Sequence, residues 1–413
     1  MNERPDFRQA LNAAKLEPRR PIHSFHRYFG KLIPGIPAAA VQSFSEPGDL
    51  VVDTFSGSGT TLVEARENRR NAVGLDLNPL ATFVSAVKTT PISSRRLEEH
   101  HGQIMLKFKE MSQIEANYEL PYVVNIDHWF RPEVLTQLLA LRGAILTLSD
   151  VPSRDFFLAC FSAFNRGVSN ADPQHVFPGY SKRMRALDEA GRTIDVEQSY
   201  DRAVRKRIRA LAALRADGGR IRSVNDSASR ALNYASEAAL AVINPPYISS
   251  IRYLETMKIE MGWLGFVESK SHYLVMDRSM LGTERFYKAD LEHIETVGIS
   301  EVDDQVSRIL ETAPKMAKTL SEYFIGLRPA LAATCSTLRP GGHLVIKISD
   351  TNLRGEVIRT GHHMQTICQE SGMRTTHDFT DQYAANSRSL LTARNTYSGL
   401  MTQDQIIVLR KEP

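Results

Sequence analysis

Along this chain of 413 residues, short apolar runs bounded by Gly, Pro, Asn or Asp alternate with segments whose apolar residues recur at helical spacing. His23 to Pro37 reads as a proline-marked loop leading to a helix that ends near Ser45, and Glu46-Pro47-Gly48-Asp49 turns the chain into a first strand over about 50–54. A helix over 60–68, a strand over 71–76 and a helix from Pro79 towards Lys88 follow. The same alternation returns with a third strand over 219–226 that ends in Asp226, and a fourth over Ala239 to Ile243. Helices are expected over 256–265 and 299–338. The turn Leu338 to Gly342 leads into a strand over 343–348. A helix near 356–371 and strands over 373–380 and 404–410 close the pattern. Strands separated by helices build βαβ units, so the expected fold class is α/β, a largely parallel sheet with helices on both faces.

From 92 to 218 the strand rhythm is lost. Helical patterns dominate, as over Pro132 to Leu148 and Phe156 to Phe164, interrupted by a polar loop over Gly167 to Gly191 that carries Lys182, Arg183 and Arg185. The chain therefore divides into 1–91, a helical insertion over 92–218, and 219–413, without internal repeats or low-complexity segments.

An apolar content of 42% suits a globular core, and no uninterrupted apolar stretch approaches the roughly 20 residues that span a bilayer. The charged start Met1 to Asp6 is unlike a signal peptide, and the expectation is a soluble, cytoplasmic protein. Cys160, Cys335 and Cys368 lie far apart without paired metal-like spacing, and none follows a proline. No disulfide framework, structural zinc site or Pro-Cys nucleophile is indicated. His23, His26, His362 and His363 are scattered and receive no role, and no metal is expected.

Chemistry concentrates at two strand ends. Asp53-Thr54-Phe55-Ser56-Gly57-Ser58-Gly59-Thr60-Thr61 follows Leu50-Val51-Val52, and the glycines at 57 and 59 permit a tight turn whose backbone N–H groups approach a ligand. Asp76, closing the second strand, stands where an acid accepts from ribose hydroxyls, with Asn78 beside it. Asp226 closes the third strand and is assigned to the amine of a bound adenine. Asn244-Pro245-Pro246-Tyr247 follows the fourth strand, and its two prolines hold the Asn244 side chain and the Pro245 carbonyl rigidly.

These motifs resemble the S-adenosylmethionine-dependent amino-methyltransferases that methylate exocyclic amines of DNA bases, over roughly 21–90 and 219–410. The 53–61 segment is similar to that family's donor loop, and its Thr60-Thr61 ending is typical of the DNA enzymes. Tyr28-Phe29-Gly30-Lys31 resembles the segment that closes over the donor's methionine end. The resemblance implies a Rossmann-like class I methyltransferase sheet, S-adenosylmethionine as cofactor, and donor contacts from Tyr28, Lys31, Asp53, Phe55, Gly57, Gly59, Thr60, Thr61, Asp76, Asn78 and Asp226. Asn244 and Pro245 then accept the two hydrogens of a base amine, which lets its nitrogen pyramidalise, while Tyr247 stacks on the base. Such a base must be flipped out of a duplex or already single-stranded.

The formal net charge of +4 is mild, but Arg202 to Arg222 carries eight basic residues against Asp217 alone. Arg205, Lys206, Arg207 and Arg209 are the expected phosphate contacts on a helix with a basic face; a solvated helix face explains the same pattern. In the class of this family with a recognition insertion between the two halves, that insertion usually follows the third strand, whereas 92–218 precedes Asp226, so its role as target-recognition region is a hypothesis. The first reading is a site-specific DNA methyltransferase acting on adenine N6. Cytosine N4, an RNA base amine, and a non-catalytic DNA-binding subunit are the alternatives. Cognate restriction or defence-system proteins are conceivable partners; the recognition sequence and oligomeric state are not legible.

Overall fold

The computed structural model describes residues 5–114, 118–249, 251–382 and 403–413. A seven-stranded sheet organises the chain in the order β3-β2-β1-β4-β5-β9-β8. Its strands are β1 (Leu50–Asp53), β2 (Asn71–Leu75), β3 (Ile221–Val224), β4 (Ala238–Ile243) and β5 (Leu338–Ile348), then β8 (Met373–Gln382) and β9 (Gln403–Lys411) after a separate hairpin of β6 (Thr351–Leu353) and β7 (Glu356–Ile358). β1 to β5 pair in parallel, and β9 runs antiparallel between β5 and β8. The α/β class expected from the alternation is the one observed, a largely parallel sheet with helices on both faces.

The period-two alternation of strand side chains supplies two cores. Val51, Leu240, Val242 and Val345 face helices Phe7–Leu16, Gly35–Phe44 and Thr60–Glu67. Val52, Ala241, Ile243 and Ile346 face helices Ser300–Leu310, Pro314–Thr337 and Thr360–Glu370. β4 is buried along its whole length, as a strand covered on both faces requires. The three cysteines are buried, with no disulfide among the described residues.

Four long helices, Ser94–Ser112, Pro132–Leu146, Val151–Asn165 and Val196–Ala212, form the 92–218 stretch. Their core of Phe156, Phe157 and Phe161 is continuous with Ile22, Phe25, Val63 and Val87 from the sheet-bearing part and with Ile259 and Trp263 beyond β4.

Some boundaries differ from the periodicity. The polar loop over 167–191 contains a helix, Lys182–Glu189, capped by Ser181, whose Oγ accepts from the Met184 N–H at 3.1 Å. The helix expected over 299–338 is two, because Pro314 starts a new one. Likewise 356–358 is the second arm of the β6–β7 hairpin, and the helix begins at Thr360. β5 starts at Leu338 rather than 343, accommodated by a register shift against β4 between Ala238 and Leu240. Among the described residues no helix is long and apolar enough to cross a membrane.

Candidate active site

Because β1 to β4 are parallel, their carboxyl ends share one edge, and there a cavity of about 300 Å³ opens between the two motifs. Its wall includes Tyr28, Asp53, Phe55, Gly57, Asp76 and Asn78 on one side and Asn244 and Pro246 on the other. Lys31 and Thr60 also border it.

The donor-type loop is shaped by its glycines. Gly57 and Gly59 have φ of +49° and +76°, and a Cβ on Gly59 would stand 2.5 Å from Ser85 Cβ. Only glycine fits there, since the helix Thr60–Glu67 starts against the neighbouring helix Pro79–Thr89. Asp76 ties this loop to the next: its Oδ2 accepts from the Gly57 N–H and its Oδ1 from the Asn78 N–H, both at 2.8 Å. Burial drives Asp76 up to about 6 from an ordinary 3.8, against the lowering effect of those two bonds. Asp53, also buried, is pushed up to about 7; the nearby Asp76 charge adds to the rise and the Phe55 N–H bond at 3.1 Å opposes it. Two carboxyls in one cavity, both raised by burial despite the backbone N–H groups that bond to them, suit a ligand that brings hydroxyls and positive charge.

The Asn244 turn is fastened on two sides. Asn244 Nδ2 donates to the Gly30 carbonyl at 3.1 Å, which fixes the amide's orientation and leaves Oδ1 buried with no partner among the described residues. Tyr323 Oη donates to the Pro246 carbonyl at 2.9 Å. An orphaned buried acceptor costs roughly 1–3 kcal/mol, so the site favours a ligand that presents an N–H.

Several expected residues are placed otherwise. Gly59, Thr61 and Pro245 support the turns without lining the cavity, and both Thr61 and Pro245 are buried. Lys31 borders the cavity, but its ammonium donates to the His23 and His26 carbonyls at 2.8 and 2.6 Å, and burial lowers it to about 8. The Asp226 carboxylate turns into its own loop, accepting from Tyr234 Oη at 2.6 Å and Ser227 N at 2.7 Å, and Ser227 to Ser229 border the cavity instead. Tyr247 is likewise absent from the wall: its hydroxyl bonds to Asp404 and Lys347.

On helix Val196–Ala212, Lys206 and Arg209 are exposed, and Arg205 is exposed but ion-paired to Asp201 at 2.8 Å. Arg207 is buried, with Nε donating to the Phe25 carbonyl at 2.7 Å and Nη1 to the Ala203 carbonyl at 2.8 Å. This corrects its expected phosphate role, because position 207 falls on the inward face of the helix with Val204 and Ile208. Met280, Leu281, Gly326 and Pro329 reach the cavity from far along the chain, and no local pattern marks them.

Sheet order and strand-tip cavity together define an α/β protein whose ligand site lies at the carboxyl ends of its parallel strands. Residues 34–82 match the family model described as DNA methylase, so the resemblance carried by the 53–61 loop is borne out. Type II methyltransferase M.MvaI of Kocuria varians is 31% identical over 173 residues, 40% of this chain and 38% of that protein. Type II methyltransferase M.MjaII of Methanocaldococcus jannaschii is 33% identical over 92 residues, 22% of this chain and 17% of its own. The chain spans well under half the length of these curated relatives. Among solved structures, TrmN from Thermus thermophilus aligns over 96% of this chain and 55% of its own at 12% identity and a TM-score of 0.30. The rRNA methyltransferase aviRa from Streptomyces viridochromogenes aligns over 99% and 96% at 9% identity and a TM-score of 0.32. Overlaps this loose carry no argument, and the fold rests on the strand order itself.

Proposed function

We propose that this chain is an S-adenosylmethionine-dependent DNA methyltransferase that modifies an exocyclic base amine, with adenine N6 of a flipped-out base as the target. One observation carries the reading: the donor-type loop and Asn244, with its unpartnered buried Oδ1, open on a single cavity. The match of 34–82 to DNA methylases and the type II methyltransferase relatives support DNA as the substrate.

The residues present fit the cofactor. Asp76 would take ribose hydroxyls, and Asp53, Tyr28 and the 55–57 loop, which line the same cavity, would hold the rest of the donor. When bound, S-adenosylmethionine supplies an electrophilic methyl on a positively charged sulfur. An exocyclic amine is a weak nucleophile because its lone pair is delocalised into the ring. Asn244 Oδ1 would accept one of its hydrogens and stabilise the positive charge that develops on nitrogen during attack, while Pro245, buried behind it, stiffens the turn that presents it. Such preorganised dipoles are worth most in a site closed to water. Asn244 is held by Gly30 and the following turn by Tyr323, so this acceptor needs no reorganisation. Alignment of methyl and amine in one cavity supplies the rest of the rate.

Incubation with methyl-labelled donor and separate pools of duplex DNA, single-stranded DNA and total RNA, followed by digestion to nucleosides and mass spectrometry, tests the reading. Label is expected in N6-methyldeoxyadenosine. Label in N4-methyldeoxycytidine would keep the enzyme class and change the base, and label confined to methylguanosine of RNA would overturn the DNA assignment.

A further inference from the structure

We infer that Tyr253, rather than Tyr247, is the aromatic wall against which the acceptor base rests, and that Tyr247 is a positioning residue that braces the Asn244 turn. The inference rests on the reading of this cavity as a base-amine methyltransferase site.

Tyr247 is fastened away from the cavity. Lys347 Nζ donates to its hydroxyl at 2.7 Å, and the hydroxyl donates to Asp404 Oδ1 at 2.9 Å. Lys347 and Asp404 form an ion pair at 2.5 Å, and Ser349 Oγ also donates to Asp404 at 2.5 Å. Lys347, Ser349 and Asp404 are all buried, at 7%, 1% and 2% exposure. Moving Tyr247 into the cavity would strip a hydroxyl from a buried ion pair, where lost hydrogen bonds are not replaced by water. The hydroxyl links the turn after β4 to the carboxyl end of β5 and the start of β9, so the ring works as a brace on Asn244 and Pro245.

Tyr253 occupies the place left open. It starts the helix Tyr253–Thr256 and lines the same cavity as Asn244. A Cβ on Gly30 would lie 2.8 Å from Tyr253 Oη and 3.3 Å from its Cε1, and the Gly30 carbonyl is the acceptor that holds the Asn244 amide. The phenol ring therefore stands beside the group that would grip the amine. Tyr28 lies nearly parallel to it, with centroids 6.3 Å apart and 27° between planes, on the side of Gly57 and Asp76. Pro246, Met280 and Leu281 add apolar wall. An aromatic face in an apolar slot next to amide acceptors suits a flat heteroaromatic base with an exocyclic amine, since every base presents a π-face for stacking.

The test separates ring from hydroxyl. Methyl transfer to unmodified, PCR-amplified genomic DNA is measured at varied DNA concentration for Tyr253→Leu, Tyr253→Phe and Tyr247→Phe, alongside the donor Kd of each variant by calorimetry. Tyr253→Leu, which fills the space without a π-face, is expected to raise KM for DNA at least tenfold while donor Kd stays within twofold, and Tyr253→Phe to recover most of that loss. Tyr247→Phe, which keeps the ring and loses the brace, is expected to lower kcat at least tenfold with KM for DNA unchanged. Wild-type kinetics in Tyr253→Leu, or an equal loss of donor binding, would overturn the assignment of Tyr253. Wild-type kcat in Tyr247→Phe would overturn the brace. A wild-type protein that binds donor yet labels no nucleic acid would instead end the functional reading, so the two failures are distinguishable.

Discussion

Donor binding should depend steeply on pH, because the two carboxyls facing the cavity sit far above their ordinary range. Burial holds Asp53 near 7 and Asp76 near 6 in the ligand-free protein. A cationic donor with free hydroxyls binds the form in which both are ionised. At pH 5.5 that form is on the order of 1% of the molecules and at pH 7.5 about 70%, so the apparent Kd should fall about 100-fold between them, worth about 2.7 kcal/mol. Calorimetry at pH 6.5 in buffers of different ionisation enthalpy should show release of about one proton per donor bound, roughly three-quarters of it from Asp53. The stability of the ligand-free fold runs the opposite way. Carboxyls raised in the folded state favour folding below their unfolded value of 3.8, and that contribution is lost as pH climbs through 6 to 7. The thermal shift produced by the donor should therefore be larger at pH 7.5 than at pH 5.5. A donor Kd constant to within threefold over this interval, with no proton release, would refute the placement of these carboxyls against the donor.

The remaining expectations follow from single contacts. Asn244→Ala should keep donor affinity within about threefold and lower kcat by about 100- to 1,000-fold, the usual cost of one preorganised polar partner; normal turnover by the labelling assay would remove Asn244 from the mechanism. Gly59→Ala places a methyl 2.5 Å from Ser85 Cβ at a φ of +76° and should destabilise the fold by at least about 1–2 kcal/mol, read as a lower melting temperature. Arg207→Ala should cost stability, roughly 1–3 kcal/mol for the Phe25 carbonyl that loses its donor, while Lys206→Ala and Arg209→Ala should leave melting unchanged. If that exposed face meets phosphates, removing Lys206 and Arg209 together should reduce the salt slope of DNA binding by about two, and an unchanged slope would make it a solvated surface.

The parallel sheet, the glycine turn after β1, the acid at the tip of β2 and the asparagine turn after β4 were all legible in the chain, because each depends on local chemistry: a period of two, a positive φ, a missing proline N–H. Strand-tip motifs of parallel neighbours also share an edge, so their meeting follows once the strands are recognised. Local pattern could not say which way individual side chains turn. Tyr247 sits in the expected motif but answers to Lys347 and Asp404, 100 and 157 residues away. Asp226 is captured by Tyr234 and Arg207 by the Phe25 carbonyl, while Tyr253, outside the motif, faces the cavity. Backbone conformation is set by near neighbours, whereas the destination of a long polar side chain is decided by which buried partner offers the hydrogen bond that desolvation would otherwise cost it.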